Sequence, residues 1–390
     1  MDKPFRVAFV VPVHNEAAAI RTLIQELNEA ILTPRANTAL FVFEDGSTDG
    51  TKEILNEIDR WQLARVQIRT SNVRKGYPAA VRDAILSIDP AVYTHIFFMD
   101  SDRQYFVDDV ERLLECAARC AVCDMVVGRR IKREDPLYRR ALTGGLKIVE
   151  RILFAPQIKD VTSGLRCMKC ASAQEIAAQV VFSKYNFWSE FTARAADRHL
   201  NIIEVPVKHR QREEGESRVF SPSNAVKVAW AEFYAVARVF IEEHWRHVSK
   251  FALVGASGAI VILLLTWLFT SIGGLWYMLS AALAIECSIF WAFALNTTVT
   301  FEHRFKEKSH LLGALAKYHA TSLGGFSLNI VVLYVLTEFV GLFYLVAELL
   351  AIIAAFMVNY LLSIRFVWRK TRRAYNAGES VADAEADGPN

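Results

Sequence analysis

His95-Ile96-Phe97-Phe98-Met99-Asp100-Ser101-Asp102-Arg103-Gln104 decides how the first half of this chain is read. An unbroken apolar run ends on two carboxylates spaced i, i+2. A strand covered on both faces reads as such a run, and in a parallel sheet ligands gather beyond the carboxyl ends of the strands. Four further candidate strands are read as nearly continuous apolar runs: Val7–Val11, Ala39–Phe43, Val66–Thr70 and Met125–Val127. Amphipathic stretches separate them at Glu16–Ala30, Thr51–Arg60, Ala79–Ser87 and Val107–Ala118. This alternation predicts an α/β domain, Rossmann-like, with a mostly parallel sheet and crossover helices.

The predicted strand ends are where polar chemistry collects. Strand one runs into Pro12-Val13-His14-Asn15-Glu16 and strand two into Glu44-Asp45-Gly46-Ser47-Thr48-Asp49. Strand four ends on Asp100 and Asp102. Two carboxylates at that spacing can reach one hard cation from a turn, and Mg2+ or Mn2+ sits readily between carboxylates and substrate phosphates. Taken alone, an Asp-x-Asp turn reads equally well as a solvated loop. The neighbouring motifs separate the two readings.

Val10-Val11-Pro12-Val13-His14-Asn15-Glu16, Glu44-Asp45-Gly46-Ser47-Thr48-Asp49-Gly50-Thr51, Asn72-Val73-Arg74-Lys75-Gly76 and Asp100-Ser101-Asp102-Arg103-Gln104 occur in that order. Together they resemble the inverting, family-two class of glycosyltransferases with the GT-A fold. Gly128-Arg129-Arg130, Asp160-Val161-Thr162-Ser163-Gly164-Leu165-Arg166 and Arg212-Glu213-Glu214-Gly215-Glu216-Ser217-Arg218 narrow this. They are similar to segments of the polyprenyl-phosphate sugar transferases of the dolichol-phosphate mannose synthase type. The resemblance covers about residues 5–220.

Roles follow from it residue by residue. Pro12, His14, Glu16, Asp45, Lys75, Arg212 and Arg218 are expected to hold the nucleotide sugar. Asp100, Asp102 and Gln104 are expected to bind Mg2+ or Mn2+, with Asp100, Asp102 and Arg130 carrying the chemistry. Arg139 and Thr143 stand at the spacing of an Arg-x-x-x-Ser pair that meets the acceptor phosphate. Any one of these arginines, taken alone, reads equally well as a surface charge. Five positions depart from the pattern: Arg74 replaces a loop glycine, Pro78 falls where a helix begins, Val107 stands where a proline is common, and Thr143 and Arg218 are conservative swaps. Were the acceptor an alcohol, Glu190 in Trp188-Ser189-Glu190-Phe191 would be the base to test.

The second half is of another kind. The chain of 390 residues is 53% hydrophobic, and the excess concentrates after Lys250. A net charge of +3, with no basic stripe carrying interleaved aromatics, argues against nucleic acid. The first apolar segment, ending at Pro12, is too short for a signal peptide. Residues 223–247 carry an apolar stripe through Val226, Trp230, Phe233, Tyr234, Ala237, Phe240, Ile241 and Trp245, which predicts a helix in the membrane interface. Packing on the soluble domain is the other reading of that stripe.

Four apolar spans follow at Val248–Ile272, Leu275–Val299, Tyr318–Phe339 and Leu342–Val367, each close to the ~20 residues that cross a bilayer. Lys and Arg flank them at 246, 250, 304, 306, 308, 317, 369, 370, 372 and 373, and are missing from the first–second and third–fourth links. The positive-inside rule then places both termini and the catalytic domain in the cytosol, at the cell's inner membrane. Lys250–Gly255 and Asn296–Phe301 resemble the signatures of GtrA-like membrane proteins, and the spans look like two duplicated hairpins. Glu286 and Glu348 lie inside spans, where an ionisable group is paired or functional.

The expected organisation is a transferase domain at 1–222, an interfacial helix at 223–247, a four-helix membrane domain at 248–370 and a tail at 371–390. The tail is acidic, small-residue-rich and expected to be disordered. Six cysteines read as small hydrophobes in a reduced chain; the x2 spacings of Cys120–Cys123 and Cys167–Cys170 keep a zinc site as the lesser alternative.

The expected activity is inverting transfer of a hexose from GDP-mannose or a UDP-sugar to a polyprenyl phosphate. The alternative is a lipid-linked sugar translocator, or an anchoring protein with an inactive transferase domain. A processive synthase would need a Gln-x-x-Arg-Trp motif, which the chain lacks. The expected partners are the nucleotide sugar, the lipid acceptor and the bilayer, with homo-oligomerisation left open.

Overall fold

A computed structural model describes residues 4–131, 137–154, 158–210, 224–302 and 308–367. Among them, seven strands form one sheet: β1 (Val7–Val13), β2 (Thr38–Glu44), β3 (Val66–Arg69), β4 (His95–Phe98), β5 (Met125–Arg130), β6 (Arg166–Lys169) and β7 (Ile202–Val207). Their spatial order is β3-β2-β1-β4-β6-β5-β7. β1 runs parallel to β2 and β4, and all seven of its residues are buried. Phe9 of β1 stacks on Phe97 of β4 at 4.7 Å between ring centroids. The mostly parallel α/β expectation is met.

Helices α1 (Ile20–Leu27), α2 (Thr51–Asp59), α3 (Tyr77–Leu86), α4 (Val107–Arg119), α5 (Leu137–Leu153), α6 (Cys170–Ala177) and α7 (Phe187–Asp197) accompany the sheet. Side chains alternate across a strand, so β1 feeds two cores. Val7, Phe9, Val11 and Val13 pack with Leu23, Ile24, Leu55, Ile58, Val110 and Leu113 of α1, α2 and α4. Ala8 and Val10 pack with Val81, Ile85, Ile176, Phe187 and Trp188 of α3, α6 and α7.

The structure departs from the sequence pattern in four places. β6 and β7 are additional strands; β6 runs antiparallel to both β4 and β5. β7 pairs with β5 alone, and an outer strand tolerates the missing N–H of Pro206. α1 begins at Ile20 rather than Glu16; residues 17–19 form a turn leading into it, with the amides of Glu16 and Ala17 held by Thr51 Oγ1 and Asp49 Oδ2. Pro78 lies in the first turn of α3, where a missing N–H costs nothing. Cys120 and Cys123 form a disulfide, contrary to the all-reduced expectation; the turn leaving α4 brings their Cα atoms to 5.4 Å, within bridging range.

The chain divides into two compact units between Phe240 and Ile241. Helix α8 (Ala225–Trp267) contains this boundary and is continuous, so residues 225–247 and the first span share one helix of about 65 Å. Nothing between Ala225 and Val254 is a Gly or Pro that would break it. α9 (Tyr277–Leu295), α10 (Lys308–Tyr334) and α11 (Tyr344–Leu362) complete the second unit. Among the described residues four helices are long and apolar enough to cross a membrane, and the chain is a membrane protein.

The second unit is internally duplicated. Every helix from α8 to α11 ends in a five-residue π-helical turn, at Leu268–Ile272, Asn296–Thr300, Val335–Phe339 and Ser363–Val367. Corresponding positions recur 67 residues apart (268 to 335, 277 to 344, 296 to 363). Gly274 and Gly341, on the same offset, turn each hairpin with φ of +65° and +74°. Gly258 meets Ser288 and Gly325 meets Asn359, close approaches that small residues permit between membrane helices. Glu286 is paired, its Oε2 lying 3.1 Å from His319 Nε2.

Candidate active site

The ends of β1 and β2 are stitched into one surface. Asn15 adopts φ +56°; its amide donates to Ser47 Oγ at 2.9 Å and its Oδ1 accepts from the Thr48 amide at 2.7 Å. His14 Nδ1 donates to the Asp45 carbonyl at 2.8 Å. Pro12 lies within β1 opposite Phe43. Buried Glu44 accepts from the amides of Ser47 and Ser71. Asp45, also buried, spends both oxygens on the next loop: Oδ1 accepts from the Lys75 amide at 2.7 Å and Oδ2 from the Gly76 amide at 2.9 Å. The Lys75 ammonium turns to Asp83, 2.6 Å away. A Cβ on Gly46, which has φ +65°, would sit 2.7 Å from the Arg74 nitrogen, so the loop closes only over a glycine.

The same loop reaches the strand-four turn. The Tyr77 hydroxyl donates to Asp100 Oδ1 at 2.8 Å and accepts from Trp188 Nε1 at 3.1 Å. Burial and the Asp100 charge push the Tyr77 phenol well above its usual range, so it keeps its proton. Asp102 Oδ1 accepts from the Gln104 amide at 3.2 Å. The Gln104 side chain donates to the Arg210 carbonyl at 3.0 Å, and the Arg210 amide donates to the Gln104 carbonyl at 3.0 Å. Gln104 therefore ties this turn to the segment leaving β7.

Arg130 and Asp160 face each other beside it. The Arg130 guanidinium makes a two-pronged contact with Asp160 and also donates to Thr162 Oγ1 at 2.9 Å. Glu204 of β7 braces the loop by accepting from the amides of Lys159 and Asp160. Arg166, wholly buried, donates to the carbonyls of Ser163 and Val161 and lies 4.5 Å over the Trp188 ring. Burial lowers its guanidinium to about 10, still charged at neutral pH. Burial also raises the Tyr105 phenol, near Ser163, to about 12.

The structure thus brings Asp45, Lys75, Asp100, Asp102, Gln104 and Arg130 to adjoining loops at one end of the sheet. Arg139 and Thr143 fall on α5, but their side chains lie outside the described residues, as do Arg212 and Arg218 entirely. Glu190 is no base: it is wholly buried, paired with Arg194 at 3.0 Å, and accepts from the amides of Val181, Phe182 and Ser183. Tyr77, Trp188 and Glu204 are site residues that the motifs did not single out. Tyr77 directly follows the Asn72–Gly76 loop, the one signal that pointed near it. Chemically, the arrangement sets an all-oxygen acidic turn beside an arginine–carboxylate brace, suited to charge separation at a phosphate.

Residues 8–176 match the model of glycosyl transferase family 2, and residues 250–368 match the GtrA/DPMS transmembrane domain. The chain is 25% identical over 374 residues to a dolichol-phosphate mannosyltransferase of Pyrococcus furiosus, covering 93% of this chain and 99% of that protein. It is 26% identical over 223 residues to a polyprenol monophosphomannose synthase of Mycolicibacterium smegmatis, covering 55% of this chain and 81% of the relative. Among solved structures, a mannosyl-3-phosphoglycerate synthase from Rubrobacter xylanophilus aligns with TM-score 0.48 and 14% identity, over 61% of this chain and 75% of that one. Residues 8–176 thus form a glycosyl transferase family 2 domain, and residues 250–368 behind it a transmembrane domain of the GtrA/DPMS type.

Proposed function

We propose that this protein transfers a hexose from a nucleotide diphosphate sugar to a polyprenyl phosphate, giving a polyprenyl-phosphate monosaccharide. The observation that carries this is the near full-length match to a dolichol-phosphate mannosyltransferase, spanning transferase and membrane domains alike. Relatives named for mannosyl transfer favour mannose as the sugar. On this reading residues 1–222 are the transferase domain, 223–247 a helical segment that runs on into the first span rather than a separate interfacial helix, 248–370 the membrane domain and 371–390 a tail. The flanking Lys and Arg favour a cytosolic catalytic domain and cytosolic termini at the cell membrane.

The residues fit a hard divalent cation. The donors offered by Asp100, Asp102 and Gln104 are all oxygens. Asp100 Oδ2 packs so closely on Gly164 that a Cβ there would lie 2.4 Å from it, so the turn accepts this carboxylate only beside a glycine. Among the described residues no group of three or more His, Cys, Asp or Glu converges as a dedicated metal cage. Two carboxylates with substrate phosphates completing the shell is a usual arrangement for Mg2+. A bound Mg2+ or Mn2+ would neutralise charge on the departing nucleoside diphosphate.

The chain's own residues do the rest. Pro12, His14, Glu16, Asp45 and Lys75 shape the nucleoside pocket, with Arg212 and Arg218 towards the phosphates. Arg130, steadied by Asp160, lines the diphosphate side. Arg139 and Thr143 receive the lipid phosphate. One phosphate oxygen attacks the anomeric carbon from the face opposite the leaving group; that bond forms as the sugar–diphosphate bond breaks, and the diphosphate keeps the electron pair. The acceptor is anionic at neutral pH, so no general base is needed, and alignment carries much of the rate. Thermal-shift screening of purified protein against nucleotide sugars, with and without Mn2+, tests the donor half. A Mn2+-dependent rise with one diphosphate sugar supports it; no response to any of them contradicts it.

A further inference from the structure

Three consecutive residues connect the two acidic groups of the site. The amides of Lys75 and Gly76 are bound by Asp45, and the next residue, Tyr77, hydrogen-bonds Asp100. Behind Tyr77 stands Trp188, whose indole N–H completes the chain at 3.1 Å. Trp188 cannot swing away. It is 1% exposed and packed edge-on against Phe98, Phe187 and Phe191, with the Arg166 guanidinium over its ring. The opposite oxygen of Asp100 rests against Gly164, so that carboxylate is held from both sides.

We propose that Tyr77 and Trp188 are positioning residues whose relay holds the Asp100 carboxylate in the orientation that binds a divalent cation and, through it, the donor diphosphate. This rests on the metal-dependent reading above and deepens it. A carboxylate on a strand-end turn has two soft torsions, and each orientation other than the productive one dilutes the binding-competent state. A buried donor on one oxygen, with Gly164 packed against the other, removes that freedom. Outer-shell partners of this kind typically change metal affinity by 10- to 100-fold when removed. The relay also links the nucleoside loop to the cation site, since displacing Asp45 from the Lys75 and Gly76 amides would shift Tyr77.

The test is Mn2+ binding to the purified full chain, read from the electron paramagnetic resonance signal of free Mn2+ in the presence of a nucleoside diphosphate. Tyr77→Phe keeps the ring and deletes the donor. It should raise the Mn2+ Kd by about 10- to 100-fold. Its turnover should recover at saturating Mn2+, a KM effect that a merely loosened fold would not restore. Trp188→Phe leaves the Tyr77 hydroxyl in place and should weaken binding by about 3- to 10-fold; it carries the test if Tyr77→Phe fails to fold. Wild-type protein that binds Mn2+, with both variants binding it equally well, overturns the relay and leaves the metal reading standing. Wild-type protein that binds no Mn2+ overturns both.

Discussion

Arg130 grips Asp160 through two parallel hydrogen bonds, Nε to Oδ2 and Nη2 to Oδ1, each 2.7 Å long. With side chains 9% and 7% exposed, neither charge has water to fall back on. Asp160→Ala should therefore destabilise the transferase domain by about 3–5 kcal/mol, the usual cost of stranding one partner of a buried pair. Arg130→Lys keeps the charge but loses the fork, so it should cost less stability. Chemical denaturation in detergent measures both, and an Asp160→Ala loss below about 1 kcal/mol would contradict the brace.

Gly164 offers a second handle on Asp100. A methyl group there would lie 2.4 Å from Oδ2, so Gly164→Ala must displace the carboxylate. Misplacing a reacting group by about 1 Å can cost roughly 100-fold in rate, and a loss of that order in turnover is expected, with the melting temperature little changed. Gly313→Ala on α10, where the added methyl meets open space, is the control and should leave both unchanged. Full activity in Gly164→Ala would remove Asp100 from the reaction.

His95, at the start of β4, supplies a pH test of stability. Burial, helped by the charge of Lys169, lowers its imidazole from 6.5 to about 4. The folded state then binds fewer protons than the unfolded state between those values. Stability is complete above pH 6.5 and is lost as the pH falls towards 4. Melting temperatures recorded from pH 7.5 down to 4 should fall more steeply for wild type than for His95→Gln. Parallel curves would show that the histidine does not titrate differently on folding.

Much of this was legible in the sequence. β1, β2 and β4 are continuous apolar runs because they are covered on both faces, and each delivers its acidic motif to the same end of the sheet. β6 was not legible: it is four residues long, begins with a buried arginine and ends with a lysine, and only the tertiary contacts of Arg166 with Trp188 and the Val161 carbonyl explain such a residue in a strand. β7 hid behind Pro206 and Glu204, a proline tolerated in an outer strand and a carboxylate turned to the Asp160 loop. Tyr77 and Trp188 are 111 residues apart in the chain, and no local pattern announces that they meet. Glu190 differs, because its partners Arg194, Val181 and Phe182 lie within nine residues of it; only its burial among them makes it structural.

The most direct measurement is transfer itself. Purified protein in detergent or vesicles is given radiolabelled GDP-mannose, or a UDP-hexose, together with polyprenyl phosphate and Mn2+ or Mg2+, and label is counted in the organic phase. The account predicts a labelled lipid-linked monosaccharide from wild type, abolished by excess chelator and by Asp102→Asn. No lipid-linked product from any nucleotide sugar, or equal product from Asp102→Asn, would contradict it.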